Sequence, residues 1–314
     1  MVLFADFQWW TYIALFGAGL VSGAVSPTFG IGGGLLNVPI LLLGFSFLLG
    51  SDPGSTATAT SLGVILFTAL SGSISYIRER RIDFRIALTF MIFAIPGAIS
   101  GGLFSNWLKK QNYEIDIFQI IFASTMIVIA IYKITTIYLQ WRKKKKGLIS
   151  EDDECMELEC DEEQQNKPLW KQTVLYRNFE DKRGIKFTYK AKLIPGIFIA
   201  SVGGFIGATL GLGGGVIYVP ILTMALGIPA AIATATSTFT ILFAAPFAVG
   251  IRSIDSIIRW DIVFCMAAGT IITANIIPRF LHKIKSEFIL TGFWIIAIGA
   301  AIRLLIKVLT EITI

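Results

Sequence analysis

Between Asp6 and Asp52 the only ionisable side chain is Tyr12, and between Lys192 and Arg252 it is Tyr218. These charge-free stretches constrain the fold more than any other feature. A helix needs about 20 apolar residues to cross the hydrocarbon core of a bilayer, and a water-soluble domain cannot hide so many in succession. Across the chain 54% of residues are hydrophobic and 15% charged, against roughly a quarter charged in soluble domains. The expectation is an integral membrane protein in contact with a lipid bilayer.

The formal charge of +6 does not point to nucleic acid, because the basic residues sit in connecting segments: Arg78, Arg80, Arg81 and Arg85, and the run Arg142 to Lys146. Such positions face headgroups and fix orientation. Cys155, Cys160 and Cys265 have neither zinc-site spacing nor even parity. His282 follows Arg279 at the end of an apolar stretch, a headgroup-facing place. Neither a metal nor a cofactor is called for, and the spans supply no convergent nucleophile, base or metal cluster for an enzyme. The N-terminus lacks the basic opening of a signal peptide and carries Trp9 and Trp10, suited to an interfacial belt.

Apolar segments fall at about 11–29, 33–49, 56–77, 84–107, 115–140, 191–210, 214–228, 230–250, 260–280 and 286–309. The second and seventh are short and follow glycine clusters, so each is either a crossing or a re-entrant helix. The expected class is all-α, with about ten transmembrane or re-entrant helical segments.

Self-comparison shows a duplication. Gly23 to Leu41 matches Gly204 to Leu222 without a gap: Thr28 answers Thr209, the four glycines of each loop coincide, and Pro39 answers Pro220. The segment Ala57-Thr58-Ala59-Thr60-Ser61 returns as Ala233-Thr234-Ala235-Thr236-Ser237, and Asp83, Gly97, Phe118 and Lys133 are answered by Asp261, Gly269, Phe288 and Arg303. The domains are therefore residues 1–140, a polar linker at 141–190 and a second repeat at 191–314. Five segments per half give odd parity, so the second repeat is expected upside down relative to the first. The basic-residue bias places the linker in the cytoplasm and both termini outside. That bias counts Arg252, with Lys109, Lys110, Arg259 and Lys307, as a charge of the outer face. The linker has a lysine run, an acidic run from Glu151 to Glu163 and a mixed polar stretch; it reads as a solvated tether.

The chemistry concentrates at Gly30-Ile31-Gly32-Gly33-Gly34 and Gly211-Leu212-Gly213-Gly214-Gly215. Glycine costs about 1 kcal/mol per position against alanine within a helix, so each cluster predicts a break. A helix restarting near Leu35 or Val216 turns N–H groups and its positive dipole end into that break, a seat for an anion. Taken singly, either cluster is also explained by close helix packing. The hydroxyls of Thr58 and Ser61, and of Thr234 and Ser237, share a helix face and can donate to an oxyanion, or else bond their own helix's carbonyls. Asn37 and Tyr218 occupy one repeat position beyond the loops and make the two sites chemically unequal. Lys133 and Arg303 lie near segment ends and suit snorkelling to the interface. Asp83 and Asp261 read as helix-start or salt-bridge positions. The expected seat, formed by Thr28, Gly30, Gly32, Gly33, Gly34, Asn37, Thr58 and Ser61 with Thr209, Gly211, Gly213, Gly214, Gly215, Tyr218, Thr234 and Ser237, contains no buried Lys or Arg.

The paired G-x-G-G-G-x-x-x-V-P loops, the A-T-A-T-S segments and the I-D and W-D turns resemble the TauE/SafE sulfite-exporter family of membrane permeases. The resemblance spans nearly the whole chain outside the central loop. It implies an inner-membrane carrier for a small sulfur-containing anion such as sulfite or a sulfonate, working by alternating access between the repeats. An anion channel, a carrier for another oxyanion or carboxylate, and a non-transporting structural or receptor subunit are the alternatives. The sequence leaves a homo-oligomer open.

Overall fold

The computed structural model describes residues 9–110, 174–280 and single helical positions at 124, 127, 131, 135 and 302, apart from 31, 51, 183, 185, 221, 224, 225 and 255–257. Beyond those single positions, the segments expected at 115–140 and 286–309 lie outside the described residues. So do the Arg142 to Lys146 run, the acidic run, Cys155, Cys160, His282, Lys133 and Arg303.

In the first half, α1 (Trp9–Phe29) leads through the first glycine loop into α2 (Gly34–Gly44), a short 3-10 turn (Ser46–Leu48), α3 (Pro53–Arg78) and α4 (Phe84–Lys110). The second half repeats the order with α5 (Leu193–Leu210), α6 (Gly215–Pro220), α7 (Ala230–Ile254) and α8 (Trp260–Phe280). Four of these helices are long and apolar enough to cross a membrane, at Trp9–Pro27, Pro53–Arg78, Phe84–Lys110 and Ala230–Ile254. Shorter apolar helical stretches lie at Gly34–Gly44, Ala200–Leu210 and Trp260–Ile276.

The long helices are arranged with apolar residues outward and hydroxyls inward. On α3, exposed Leu70, Ile74 and Ile77 recur at helical spacing, while Thr58, Ser61, Thr68, Ser71 and Ser75 are buried. On α4, Phe84, Leu88 and Ile92 form the exposed stripe. Water would reject this pattern and lipid accepts it, because helices satisfy their own backbone and present only hydrocarbon outward.

Interhelical contact runs mainly between the halves. α1 packs on α8, and α5 packs on α4 in the equivalent way; α3 meets α8 as α7 meets α4; α3 and α7 meet each other. Small residues permit this closeness. A Cβ on Gly97 would stand 2.1 Å from the Ser201 carbonyl oxygen, and one on Gly101 2.3 Å from that of Phe205. On the other side, Gly19 would meet the Met266 carbonyl at 2.2 Å and Gly269 that of Phe16 at 2.4 Å. Gly97 and Gly269, paired in the sequence, thus serve one role in both halves. Serines add bonds between α3 and α8: Ser71 Oγ donates to the Ile271 carbonyl at 2.8 Å and Ser75 Oγ to that of Asn275 at 3.1 Å.

Asp83 and Asp261 stand at helix starts, as expected. Asp83 accepts from the backbone N–H of Arg85 at 3.0 Å, capping α4. Asp261 holds Arg259 bidentately, at 3.0 and 2.6 Å.

The described membrane part is all-helical, and the interval read as a polar tether holds a β-hairpin in addition. Val174–Glu180 (β1) and Lys186–Lys192 (β2) pair antiparallel, from Val174 opposite Lys192 to Glu180 opposite Lys186. Alternation of apolar and polar residues in Phe187-Thr188-Tyr189-Lys190-Ala191-Lys192, after the turn at Gly184 with φ +80°, carries that signal. The hairpin is docked on the α3–α4 turn. Arg81 Nη2 lies 2.7 Å and Nε 2.8 Å from Asp181 Oδ2, with both side chains buried. Tyr189 Oη donates to Asp83 Oδ2 at 2.6 Å.

Candidate substrate site at the paired glycine loops

Both helix breaks fall where the glycines predict. α1 ends at Phe29 and α2 starts at Gly34; α5 ends at Leu210 and α6 starts at Gly215. Gly30, Gly32 and Gly33 have φ of +65°, +76° and +86°, and Gly211, Gly213 and Gly214 have +71°, +71° and +76°. Only glycine enters this left-handed region without strain, so the repeated spacing is a backbone requirement. The packing explanation also holds at particular positions. A Cβ on Gly34 would lie 2.3 Å from the Gly211 carbonyl oxygen, and one on Gly211 2.5 Å from that of Thr58.

The loops come together at the centre of the molecule. Gly32 and Gly213 each face Ile65 and Ile241, which stand at the same distance beyond Ser61 and Ser237 and are wholly buried. The hydroxyl-rich segments cross over between halves: Ser61 Oγ donates to the Gly211 carbonyl at 2.8 Å, and Ser237 Oγ to that of Gly30 at 3.0 Å. Each serine thereby clasps the loop of the opposite repeat.

The remaining predicted residues divide by the use of their polar atoms. Thr58 donates to the Ser55 carbonyl at 2.9 Å and Thr234 to that of Ala231 at 3.0 Å, so both make the local bonds weighed as the alternative. Thr209 donates to Phe205 on its own helix at 2.8 Å and to Gly101 of α4 at 3.2 Å. The Thr28 side chain lies outside the described set. Asn37 is fully buried; its Oδ1 accepts from Ser22 Oγ, while its Nδ2 has no hydrogen-bond partner among the described residues. Tyr218 is equally buried, and its hydroxyl also lacks a partner there. Asn37 Nδ2 lies 3.5 Å from where a Cβ on Gly33 would be, and the Tyr218 hydroxyl 3.0 Å from the same point on Gly214. The two repeat-equivalent positions therefore each hold an unused donor beside the last left-handed glycine of their loop. Leaving such a group unsatisfied costs about 1–3 kcal/mol.

Arg252 corrects the expectation that no cation is buried beside the seat. It is 0% exposed. Its Nη1 donates to Ser105 Oγ, and its Nη2 to the Ser55 carbonyl at 3.1 Å and to Thr58 Oγ1. Tyr76 was likewise missed; it is 1% exposed and donates to the Pro27 carbonyl just before the first loop. The signal lay in the duplication, because Tyr76 and Arg252 stand at the same distance beyond Ser61 and Ser237.

Fold and site together define a helical membrane protein whose centre is a pair of buried left-handed glycine loops, each clasped by a serine from the other half. The chain belongs to the TauE/SafE family, whose model, described as "Sulfite exporter TauE/SafE", matches residues 15–304. It is 28% identical over 263 residues to the "Probable membrane transporter protein YunE" of Bacillus subtilis, covering 82% of this chain and 84% of that one. It is 23% identical over 207 residues to the "Probable membrane transporter protein MJ0441" of Methanocaldococcus jannaschii, covering 66% of this chain and 60% of the relative. No solved structure is a significant match. The protein is a membrane transporter of the TauE/SafE type.

Proposed function

We propose that this transporter is a secondary carrier for a small sulfur-containing anion, sulfite or an organosulfonate, and that the anion binds at the paired glycine loops. The observation that carries this reading is the pair of unused donors, Asn37 Nδ2 and the Tyr218 hydroxyl, buried beside Gly33 and Gly214. Donors kept unpaired in a dry interior lower stability unless a ligand takes them up. An oxyanion does so with hydrogen bonds stronger than those between neutral groups. The N-terminus of α2 adds N–H groups and the positive end of its dipole. The family name supplies the sulfur-containing substrate class.

In this reading ten segments form two inverted repeats, the membrane is the inner membrane, and the central loop faces the cytoplasm. Transport proceeds by alternating access. Because α1 packs on α8 and α4 on α5, the bodies that rock are these exchanged pairs rather than the two halves of the sequence. Ile65 and Ile241 close the centre between the loops, and separation of the loops breaks the Ser61 and Ser237 clasps.

The deciding experiment is flux into proteoliposomes of the purified protein, with sulfite, sulfonates, sulfate and chloride. Saturable uptake of sulfite or a sulfonate supports the carrier. Currents far above carrier turnover support a channel, and absence of any flux removes the transport of these anions. Orientation is tested separately: a membrane-impermeant thiol reagent that labels Cys155 or Cys160 in intact cells overturns the cytoplasmic placement of the loop.

A further inference from the structure

We infer that Arg252 is the charge-reading residue of the anion path, and that its replacement by Tyr76 at the equivalent place in the other repeat makes the two sides of the path unequal. The inference rests on the carrier reading above and assigns a specificity residue within it.

Position is the first argument. The Ser55–Thr58 turn of α3 lies against the second loop, since a Cβ on Gly211 would stand 2.5 Å from the Thr58 carbonyl oxygen and 2.7 Å from its Cα. One turn further on, Ser61 clasps the Gly211 carbonyl. Arg252 reaches this turn from α7, bonding Thr58 Oγ1 and the Ser55 carbonyl, and reaches Ser105 on α4. Asn106 Nδ2 donates to the Ile251 carbonyl at 3.0 Å, fixing the backbone that carries the guanidinium. The cation is thus built into the wall beside one glycine loop.

The partner chemistry is the second argument. Two of the bonds named here end on hydroxyls, Thr58 Oγ1 and Ser105 Oγ, which can rotate away and yield their place to an oxyanion oxygen. That exchange replaces a hydrogen bond to a neutral acceptor with one to an anion, and a planar guanidinium can make two such bonds in parallel. The hydroxyl of Ser55, in the same turn, is buried without a partner among the described residues and adds a donor. Arg252 stands in the last turn of α7 and is nonetheless fully buried, and a buried cation is costly unless hydrogen bonds or an anion compensate it.

The third argument is the broken symmetry. Tyr76 occupies the matching position on α3 and is similarly buried, its hydroxyl donating to the Pro27 carbonyl. The framework is repeated but the charge is not. An anion approaching beside Arg252 meets a guanidinium and hydroxyls; one approaching beside Tyr76 meets a phenol. The side that opens at Arg252 therefore binds the anion more tightly.

The test measures sulfite binding in detergent and the sulfite KM from each face of oriented proteoliposomes, for the wild type, Arg252→Lys and Arg252→Gln. Thermal midpoints without anion report folding. Arg252→Gln is expected to weaken sulfite binding by about tenfold or more, the scale of a lost charge-assisted hydrogen bond. Arg252→Lys is expected to lose about threefold to tenfold, because it keeps the charge and loses the fork. Both raise KM on one face only, with kcat much less affected. Unchanged sulfite affinity in Arg252→Gln overturns the assignment and leaves the carrier reading standing, as does an equal rise of KM on both faces. If Arg252→Gln does not fold, the one-sided KM of Arg252→Lys decides in the same terms. A wild-type protein that binds no sulfite, sulfonate, sulfate or chloride overturns the carrier reading and this assignment together.

Discussion

The Ser61 hydroxyl is hydrogen-bonded at 2.8 Å to the carbonyl of Gly211, in the loop of the opposite repeat. Ser237 makes the reciprocal bond to Gly30 at 3.0 Å. The two glycine loops are therefore positioned by partners far away in the chain, and the integrity of the centre depends on both halves at once.

Replacing Ser61 by alanine leaves the buried Gly211 carbonyl without this donor. The expected cost is about 1–3 kcal/mol, the penalty of an unsatisfied buried polar group. A lowered thermal midpoint in detergent checks it, with a similar fall for Ser237→Ala. No fall in either variant would show that the clasps do not hold the loops.

Tyr218→Phe separates binding from stability. The hydroxyl it removes has no partner among the described residues, so folding stability is expected to hold or rise. Sulfite KM should increase by about threefold to tenfold, the value of one hydrogen bond to an anion. A drop in thermal midpoint with unchanged KM would assign the hydroxyl a structural role instead.

Gly33→Val and Gly214→Val place a β-branched residue at φ of +86° and +76°. Left-handed backbone is strongly unfavourable for such side chains, and at Gly214 the new Cβ would also stand 2.7 Å from the Tyr218 ring. Both variants are expected to reach the membrane and lose transport. Full flux in both would remove the loops from the substrate site.

The α4–α5 contact offers a control for packing glycines. Gly97→Ala puts a methyl 2.1 Å from the Ser201 carbonyl oxygen, where backbone must shift, and a loss of about 1–3 kcal/mol is expected. Gly250 on α7 has nothing within 4 Å of the same point, and Gly250→Ala should stabilise by about 0.5–1 kcal/mol. Comparison of the two thermal midpoints tests the assignment.

The docked hairpin is held by the Arg81–Asp181 pair, whose side chains are 7% and 0% exposed. Asp181→Asn strands the guanidinium, at a cost of about 3–5 kcal/mol, and removing both charged partners together costs less than either single change. Faster proteolysis within 174–192 in the single variant, with partial recovery in the double variant, is the expected outcome.

The sequence by itself determined the membrane class, the duplication, the two helix breaks and the family. Each of these follows from local rules: uncharged length, repeated residues, and left-handed positions that only glycine fills. It also carried the hairpin, in the alternation around Tyr189, though the charge blocks upstream masked that signal. Only the tertiary structure decided which polar atoms face one another. The hydroxyls of Thr58 and Thr234 proved to bond their own helices, whereas Ser61 reaches across to the other repeat and Ser237 shares its hydroxyl between Gly30 of the other repeat and Thr234 of its own helix. Arg252, which the charge count uses only to set orientation, is buried against Thr58. Burial of a single side chain depends on how helices from distant parts of the chain cross, and a cation is buried only where such crossings supply its hydrogen bonds.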